Sequence, residues 1–323
     1  MIVLLLSVLF TFVELNGENL FDTSHDSLKN DLEFTPESDH HWTRTRYWRK
    51  LNNISKELIA LGEHPSRGWQ LPDMVALCEV ENDSVMRDLT RRSLLRKAGY
   101  EYVMTDSPDM RGVDVALMYN PHTFFLLSYD TLRVNPLPDM RPTRDILYVR
   151  GLTLDGDTLH VFVLHAPSRM GGERVSRPFR MTVARRLAVA VDSLLTRNAS
   201  ARIIVAGDFN DYADSPAPLF LCQRGLENVS SQARGSHGAR GTYRYRGEWR
   251  SLDHILCSPS LAGQLKECFI GDLPFLLEED TKYGGTHPFR TYLGPRYQAG
   301  YSDHLPLVAR FEWEDESPSV RKE

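Results

Sequence analysis

Repeatedly along this chain a short apolar run stops abruptly at a carboxylate, an amide or an imidazole. The stops are Asn16/Glu18, Glu79, His165, Asp208/Asn210, Asp253/His254 and Asp303/His304. Short apolar runs bounded by polar residues read as strands buried in a sheet. One charged residue after a strand is ordinary. A whole series, all of chemically competent types, predicts a shared end of a sheet where rigid backbone holds reactive groups.

The remaining pattern supplies helices between those strands. Tyr47–Leu61 carries Leu51, Ile54, Leu58 and Leu61 at helical spacing, and Asn82 or Asp83 caps a second helix reaching to about Lys97. Arg177–Leu195 is the most regular, with Phe179, Val183, Leu187, Val191 and Leu194 on one face. Val113–Tyr119 alternates as a strand, and Ile146–Leu154 and Leu159–His165 flank Asp155-Gly156-Asp157 as a hairpin. Ile203–Ala206, Leu252–Cys257 and Leu307–Phe311 are further strands. No Pro/Gly/Ser-rich linker divides the chain, so one α/β domain over residues 1–313, with a charged tail at 314–323, is the economical reading. The opening run MIVLLLSVLFTFV has no Lys or Arg before Lys29 and no small-residue cleavage site. It is also shorter than the ~20 residues that span a bilayer. A buried first strand is expected, and a cytoplasmic location is preferred over export.

The residue types narrow the chemistry. Glu18, Glu79, Asp208 and Asp303, together with asparagines, form an oxygen-rich set suited to a hard cation such as Mg²⁺. Four cysteines, none at metal-site spacing, and no H-E-x-x-H motif exclude a zinc enzyme of familiar type. The lack of a G-x-S-x-G elbow, a P-loop and a strand-linked G-x-G-x-x-G removes serine hydrolysis, nucleotide-driven transfer and dinucleotide redox chemistry. Metal-assisted hydrolysis remains. The net charge of -5 excludes a uniformly basic coat for nucleic acid. Locally the sign reverses: residues 168–186 hold six Arg against one Glu, and residues 231–250 five Arg against one Glu. Arg180, Arg185 and Arg186 are expected on a helix face, whereas Arg169, in a loop four residues after His165, is the better candidate for a phosphate contact. In the Gly284–Gly300 loop, Arg290 and Tyr292 are the candidates to touch substrate. Tyr243, Tyr245 and Trp249, set between arginines, suit either base stacking or an amphipathic edge strand.

Taken in order, Asn16-x-Glu18, Leu77-Cys78-Glu79, His165-Ala166-Pro167-Ser168, Gly207-Asp208-Phe209-Asn210 and Ser302-Asp303-His304 resemble the endonuclease/exonuclease/phosphatase superfamily over nearly the whole chain. Glu18-Asn19-Leu20-Phe21-Asp22 and Phe289-Arg290-Thr291-Tyr292 are similar to a bacterial subgroup of mostly unassigned substrate. The resemblance implies a DNase I-like four-layer α/β sandwich, two mixed sheets face to face with helices outside. It implies a Mg²⁺ or Mn²⁺ ion held by Glu18, Glu79 and Asp303. By the same resemblance Asn16 and Asn210 orient the phosphate, His165 contacts it or protonates the leaving group, and Asp208 activates water. Asp253 supports His304, which stabilises the transition state. Ser168 stands where many nuclease relatives have asparagine, and strand register favours Glu79 over Glu81. Phosphodiester hydrolysis, with nucleic acid as the leading substrate class, is the expected activity. A phosphomonoesterase or a lipid-headgroup phosphodiesterase is the alternative, and a non-catalytic binding module a third. A phosphate-ester substrate, no obligate protein partner and a monomer are expected.

Overall fold

The structure is a computed structural model and describes residues 7–314. In chain order the sheet strands begin with β1 (Ser7–Leu20), β2 (Met74–Val80), β3 (Glu101–Met104), β4 (Asp114–Tyr119), β5 (Phe124–Leu132) and β6 (Ile146–Thr153). They continue with β7 (Thr158–His165), β8 (Arg202–Asp208), β9 (Glu227–Asn228), β10 (Asp253–Cys257), β11 (Leu265–Ile270) and β12 (Leu307–Glu314). The main helices are α1 (Arg44–Leu61), α2 (Asp83–Arg91), α3 (Glu173–Arg197) and α4 (Pro216–Cys222). Two six-stranded sheets form, ordered β11-β12-β1-β2-β4-β3 and β9-β10-β8-β7-β6-β5. Each has one parallel pair near its centre, β1 with β2 and β7 with β8, and antiparallel neighbours around it.

Side-chain parity builds the layers. On β1, Phe10 and Phe12 point into the core between the sheets, where they join Met74, Leu117, Val149, Val161 and Ile204. The alternate residues Val13 and Leu15 face outward and are covered by Leu51, Ile54 and Leu58 of α1. On the other sheet, Ile203 and Val205 pack under Val183, Leu187 and Val191 of α3. The result is an α/β sandwich with helices on the outer faces. Because β1 is central and covered on both faces, it has no polar alternation, which is why its sequence reads as a continuous apolar run. Residues 1–6 of the chain, which open the expected first strand, and the tail from residue 315 lie outside the described residues. Among the described residues no helix is long and apolar enough to cross a membrane.

Several elements differ from the sequence expectation. The second helix stops at Arg91 rather than running to Lys97, and Leu94–Lys97 forms a separate 3₁₀ turn whose start is capped by the Ser93 side chain. α3 begins at Glu173, ahead of Pro178. Residues 243–250 form a two-stranded hairpin, Tyr243–Tyr245 against Glu248–Arg250. Trp42 packs in the core, whereas Trp69 is 56% exposed.

Candidate active site

Three strand ends meet side by side in the second sheet. The register sets Asp208 opposite His165 on the parallel side and opposite Asp253 on the antiparallel side. The first sheet brings Asn16 and Glu79 to the same end, with Asn16 paired beside Cys78. One hydrogen bond closes the gap between sheets: Asn16 Nδ2 donates to Asp208 Oδ2 at 3.1 Å.

Irregular backbone aims these groups. Pairing shifts register after Asn16 on β1 and after Cys78 on β2, so each strand carries a bulge where it reaches the site. Glu18, Asn19, Glu79 and Asn210 all take positive φ, between 48° and 62°. Such conformations cost a non-glycine residue on the order of 1–3 kcal/mol and persist only where neighbours hold them. Here carboxylate and amide oxygens do the holding. Asn16 Oδ1 accepts from Glu18 N (2.9 Å), Glu79 Oε2 from Asn19 N (2.8 Å) and Asp208 Oδ1 from Asn210 N (2.7 Å). Asn210 Nδ2 also donates to Asp208 Oδ2 and to the carbonyl of Ala166.

His304 enters from the other side. Its Nδ1 lies 2.7 Å from Asp253 Oδ2, which also accepts from the Thr242 hydroxyl. Its backbone is fixed by Ser302, whose hydroxyl donates to the carbonyl of Asn16 at 2.6 Å. The Tyr243 ring lies against the imidazole at 5.0 Å between centroids. One ligand atom each from Asp208, Asp253 and His304 lies within 4.8 Å of the others. Asp253 Oδ1 is buried and has no hydrogen-bond partner.

The chain from residue 11 to residue 312 matches the family described as Endonuclease/Exonuclease/phosphatase. The chain belongs to the endonuclease/exonuclease/phosphatase family. It is therefore a phosphoesterase by class. No curated protein matches the sequence. Among solved structures it is similar to an endonuclease/exonuclease/phosphatase family protein from Bacteroides thetaiotaomicron, at TM-score 0.62 and 16% identity over 96% of this chain and 99% of that one. It is similar to the mannosyl-6-phosphatase of the same organism, at TM-score 0.61 and 16% identity over 93% and 98%. It is also similar to the catalytic domain of human Nocturnin, at TM-score 0.56 and 18% identity over 95% and 96%. At these identities the likeness is one of fold.

Within this endonuclease/exonuclease/phosphatase site the sequence-predicted residues divide. Asn16, Glu79, His165, Asp208, Asn210, Asp253 and His304 converge. Glu18 and Asp303 lie alongside, but both are bound by Arg290, with Nε 3.2 Å from Glu18 Oε1 and Nη2 3.0 Å from Asp303 Oδ2. Glu18 also accepts from Thr291 N and lies 3.5 Å from buried Lys50. Two expected substrate contacts already have partners within the protein. The Tyr292 ring is buried against His40 and Trp42 and its hydroxyl donates to the His40 carbonyl, so it packs behind Glu18. Arg169 pairs with Glu173 at 2.9 Å, a carboxylate it shares with Arg177 and Arg180, and stacks on Tyr212. Glu81 turns away to accept from Asp22 N.

Electrostatics separate the roles. Burial, with Asp253 beside it, pushes Asp208 up to about 7 despite the opposing pull of His304 and Asn210 N. Burial alone would lower His304, but the charge and hydrogen bond of Asp253, then Asp303 and Asp208, carry it well above its usual value. Burial, then Arg144, Arg111 and His304, drive His165 well below its own. This favours the neutral imidazole at His165, which lies 3.5 Å from Asp208 and 3.9 Å from Glu79. Burial opposes ionisation of Glu79, yet Arg111 and Asn19 N hold its carboxyl below the ordinary range.

Sequence reasoning missed four residues. Arg111 reaches Glu79 Oε1 at 3.4 Å and Asn19 Oδ1 at 2.5 Å. Its Arg-Gly pair directly before a strand was the available signal. Buried Arg144 ties the carbonyls of His165 and Ala166 to Asp109, clamping the loop that carries Arg111. Thr242 holds Asp253. Glu14 shares the inward parity of Phe12 and Asn16, is fully buried, and has no partner for either carboxylate oxygen.

Proposed function

We propose that the protein is a divalent-metal-dependent phosphodiester hydrolase that uses water as nucleophile, with nucleic acid as the leading substrate. The observation that carries this reading is the Asp208–Asp253–His304 group, cross-linked to Asn16 and facing Glu79 at one end of the sandwich. The donor set is oxygen-rich, acids crowd one another, and Asp253 Oδ1 is an orphaned buried acceptor. That composition fits Mg²⁺ or Mn²⁺ better than a softer ion. Glu79 and the Asp208–Asp253 side would hold the ion, with Glu18 and Asp303, which share the single guanidinium of Arg290, alongside it. When bound, such an ion supplies Lewis-acid polarisation of the phosphoryl group and stabilises the leaving oxygen.

The protein groups divide the rest of the work. Asp208, with a value near neutrality, accepts a proton from the attacking water, and its two asparagine partners keep its carboxylate in one orientation. His304 stays positively charged because Asp253 lies against it, and its free edge offsets charge growing on the phosphoryl oxygens. His165 contributes a neutral hydrogen-bonding edge.

Hydrolysis of chromogenic phosphodiester and phosphomonoester substrates, with plasmid and single-stranded DNA alongside, tests the proposal under Mg²⁺, Mn²⁺ and EDTA. Diester and DNA cleavage should require metal, and Asp208→Asn should lower kcat by about 10²–10⁴-fold. Full activity of that variant would sink the assignment. The mannosyl-6-phosphatase neighbour makes monoester hydrolysis the second reading, and metal-dependent monoester turnover without diester cleavage would establish it instead.

A further inference from the structure

Past Asp208 and Asp253 the antiparallel pair continues, with Phe209 N donating to the Leu252 carbonyl at 2.9 Å. This brings Tyr212 of one segment to Arg250 of the other, the guanidinium 5.1 Å from the ring centroid. Tyr212 is four residues beyond Asp208, so their Cα atoms are at most about 14 Å apart. Between these segments and the loop at 231–240 lies a groove of about 500 Å³. Arg234, Arg240 and Arg250 line it against a single carboxylate, Asp214. Among the described residues, none of these three arginines forms an ion pair.

Exposed arginines are common, and most are solvated ornaments on a mobile surface. These are mounted differently. The Asp272 carboxylate accepts from the backbone of Ser236, His237 and Ala239, and the Arg234 carbonyl accepts from Ile270 N. Ala233 and Ala239 plug the loop into the core between the sheets. Gly241 lies so close to the Arg250 backbone that a Cβ there would sit 2.4 Å from its carbonyl carbon, which brings Arg240 and Arg250 together from adjacent backbones. The same wall continues into Thr242, which holds Asp253. A rigid mount loses little entropy on binding, which is what a built anion site requires.

The rings at the groove argue for phosphate over base. Tyr212 already carries Arg169 at 4.4 Å as well as Arg250, and Trp249 carries Arg244 at 5.7 Å. A base stacking on Tyr212 would compete with two guanidinia already at that ring, whereas a phosphate can bond to the guanidinium edges of Arg240 and Arg250, which form no ion pair among the described residues. We infer that this groove takes a second phosphate of the substrate, adjacent to the one cleaved, so that the protein grips the backbone of a nucleic acid strand without reading its bases. The inference rests on the phosphodiesterase reading and deepens it.

Fluorescence anisotropy with a short labelled oligothymidylate tests this in the Asp208→Asn background, with and without Arg240→Ala/Arg250→Ala, across a salt series. The arginine substitutions should weaken binding at least about tenfold and flatten the dependence of log Kd on log salt by about 1.4, the value for two lost contacts to a single strand. Arg240→Lys/Arg250→Lys, which keeps the charge, should retain the slope, and a thermal melt of each variant confirms folding. In the Asp208-intact protein, the ratio of kcat/KM on the oligonucleotide to that on a one-phosphate diester should fall in the alanine variant. Unchanged affinity and slope would overturn the inference. So would binding to phosphatidylserine vesicles that is lost in the alanine variant while oligonucleotide binding is kept, since the groove would then serve a membrane. Absence of any hydrolysis would defeat the phosphodiesterase reading yet leave the binding result legible.

Discussion

Arg111 and Glu79 show how a single pair sets the state of the site. Glu79 stands at the end of β2 in a left-handed conformation, and the half-exposed guanidinium of Arg111 is the first of the charges that keep it ionised. A guanidinium and a metal ion compete for the same carboxylate. The pair is open to solvent only on the arginine side, so it contributes toward the upper end of the surface-pair range, about 1 kcal/mol. Arg111→Ala should therefore tighten Mn²⁺ binding about fivefold, measured by titration calorimetry or by the free-Mn²⁺ resonance signal. Weaker binding in the variant would mean that Arg111 holds Glu79 in place for the ion instead of competing with it. Glu79 itself was legible in the sequence because an acid closing an apolar run has few structural uses. Arg111 was not, because its partners Asn19 and Glu79 are far away in the chain and only the loop clamped by Arg144 brings it to them.

At the level of elements, the strand ends carry the chemistry and the irregularities make it reachable. Strict alternation would turn Glu79 to the helix-covered face with Val75 and Leu77; the bulge after Cys78 releases it, and Val80 takes the outer position instead. Alternation alone thus locates the strand but not the direction of its last residue. Gly207 illustrates the same dependence. Its φ is 138°, and a Cβ there would lie 1.9 Å from the Leu164 carbonyl oxygen of the neighbouring parallel strand. Gly207→Ala should destabilise the protein by about 2–4 kcal/mol through strain and overpacking and displace Asp208. Urea denaturation with hydrolysis measured on the folded fraction checks both, and an unchanged midpoint would show that β7 and β8 yield more than their packing implies. Helix α3 and the central strands were readable because one apolar stripe or one buried run decides them. The edge strands β3, β5 and β11 were not, since their mixed exposure leaves no clean period. The Arg290 bridge between Glu18 and Asp303 was equally hidden, because it joins residues from opposite ends of the chain.

For the whole molecule, the site concentrates acid in a dry sandwich, and this couples folding to pH. Burial first, then nearby acids, raises Asp208 to about 7 and Glu81 to about 8, and burial raises Glu57 to about 8 against the pull of Lys50. An acid with a raised folded value binds its proton more tightly when folded. Its stabilising contribution is present at low pH and is lost as pH climbs from the ordinary carboxylate range through the folded value. His304, raised by Asp253 against the effect of burial, acts in the same direction: its contribution is full below its ordinary value and fades as pH rises through the folded one. The lowered histidines His165 and His254 change their contribution only below about pH 6.5. Between pH 6.5 and 8.5 the raised acids act together, opposed by buried Lys50, whose lowered value adds stability as pH rises. The acids outnumber it, and the urea midpoint of the metal-free protein should fall across that interval. Glu57→Gln/Glu81→Gln, which mimics the protonated forms away from the reacting groups, should flatten the fall. Mn²⁺ should oppose it, and more strongly at pH 8.5 than at 6.5, because an ion binds ligands that have already lost their protons. A midpoint that rises with pH in the metal-free protein would mean that the buried acids are ionised in the fold and compensated by groups other than a metal.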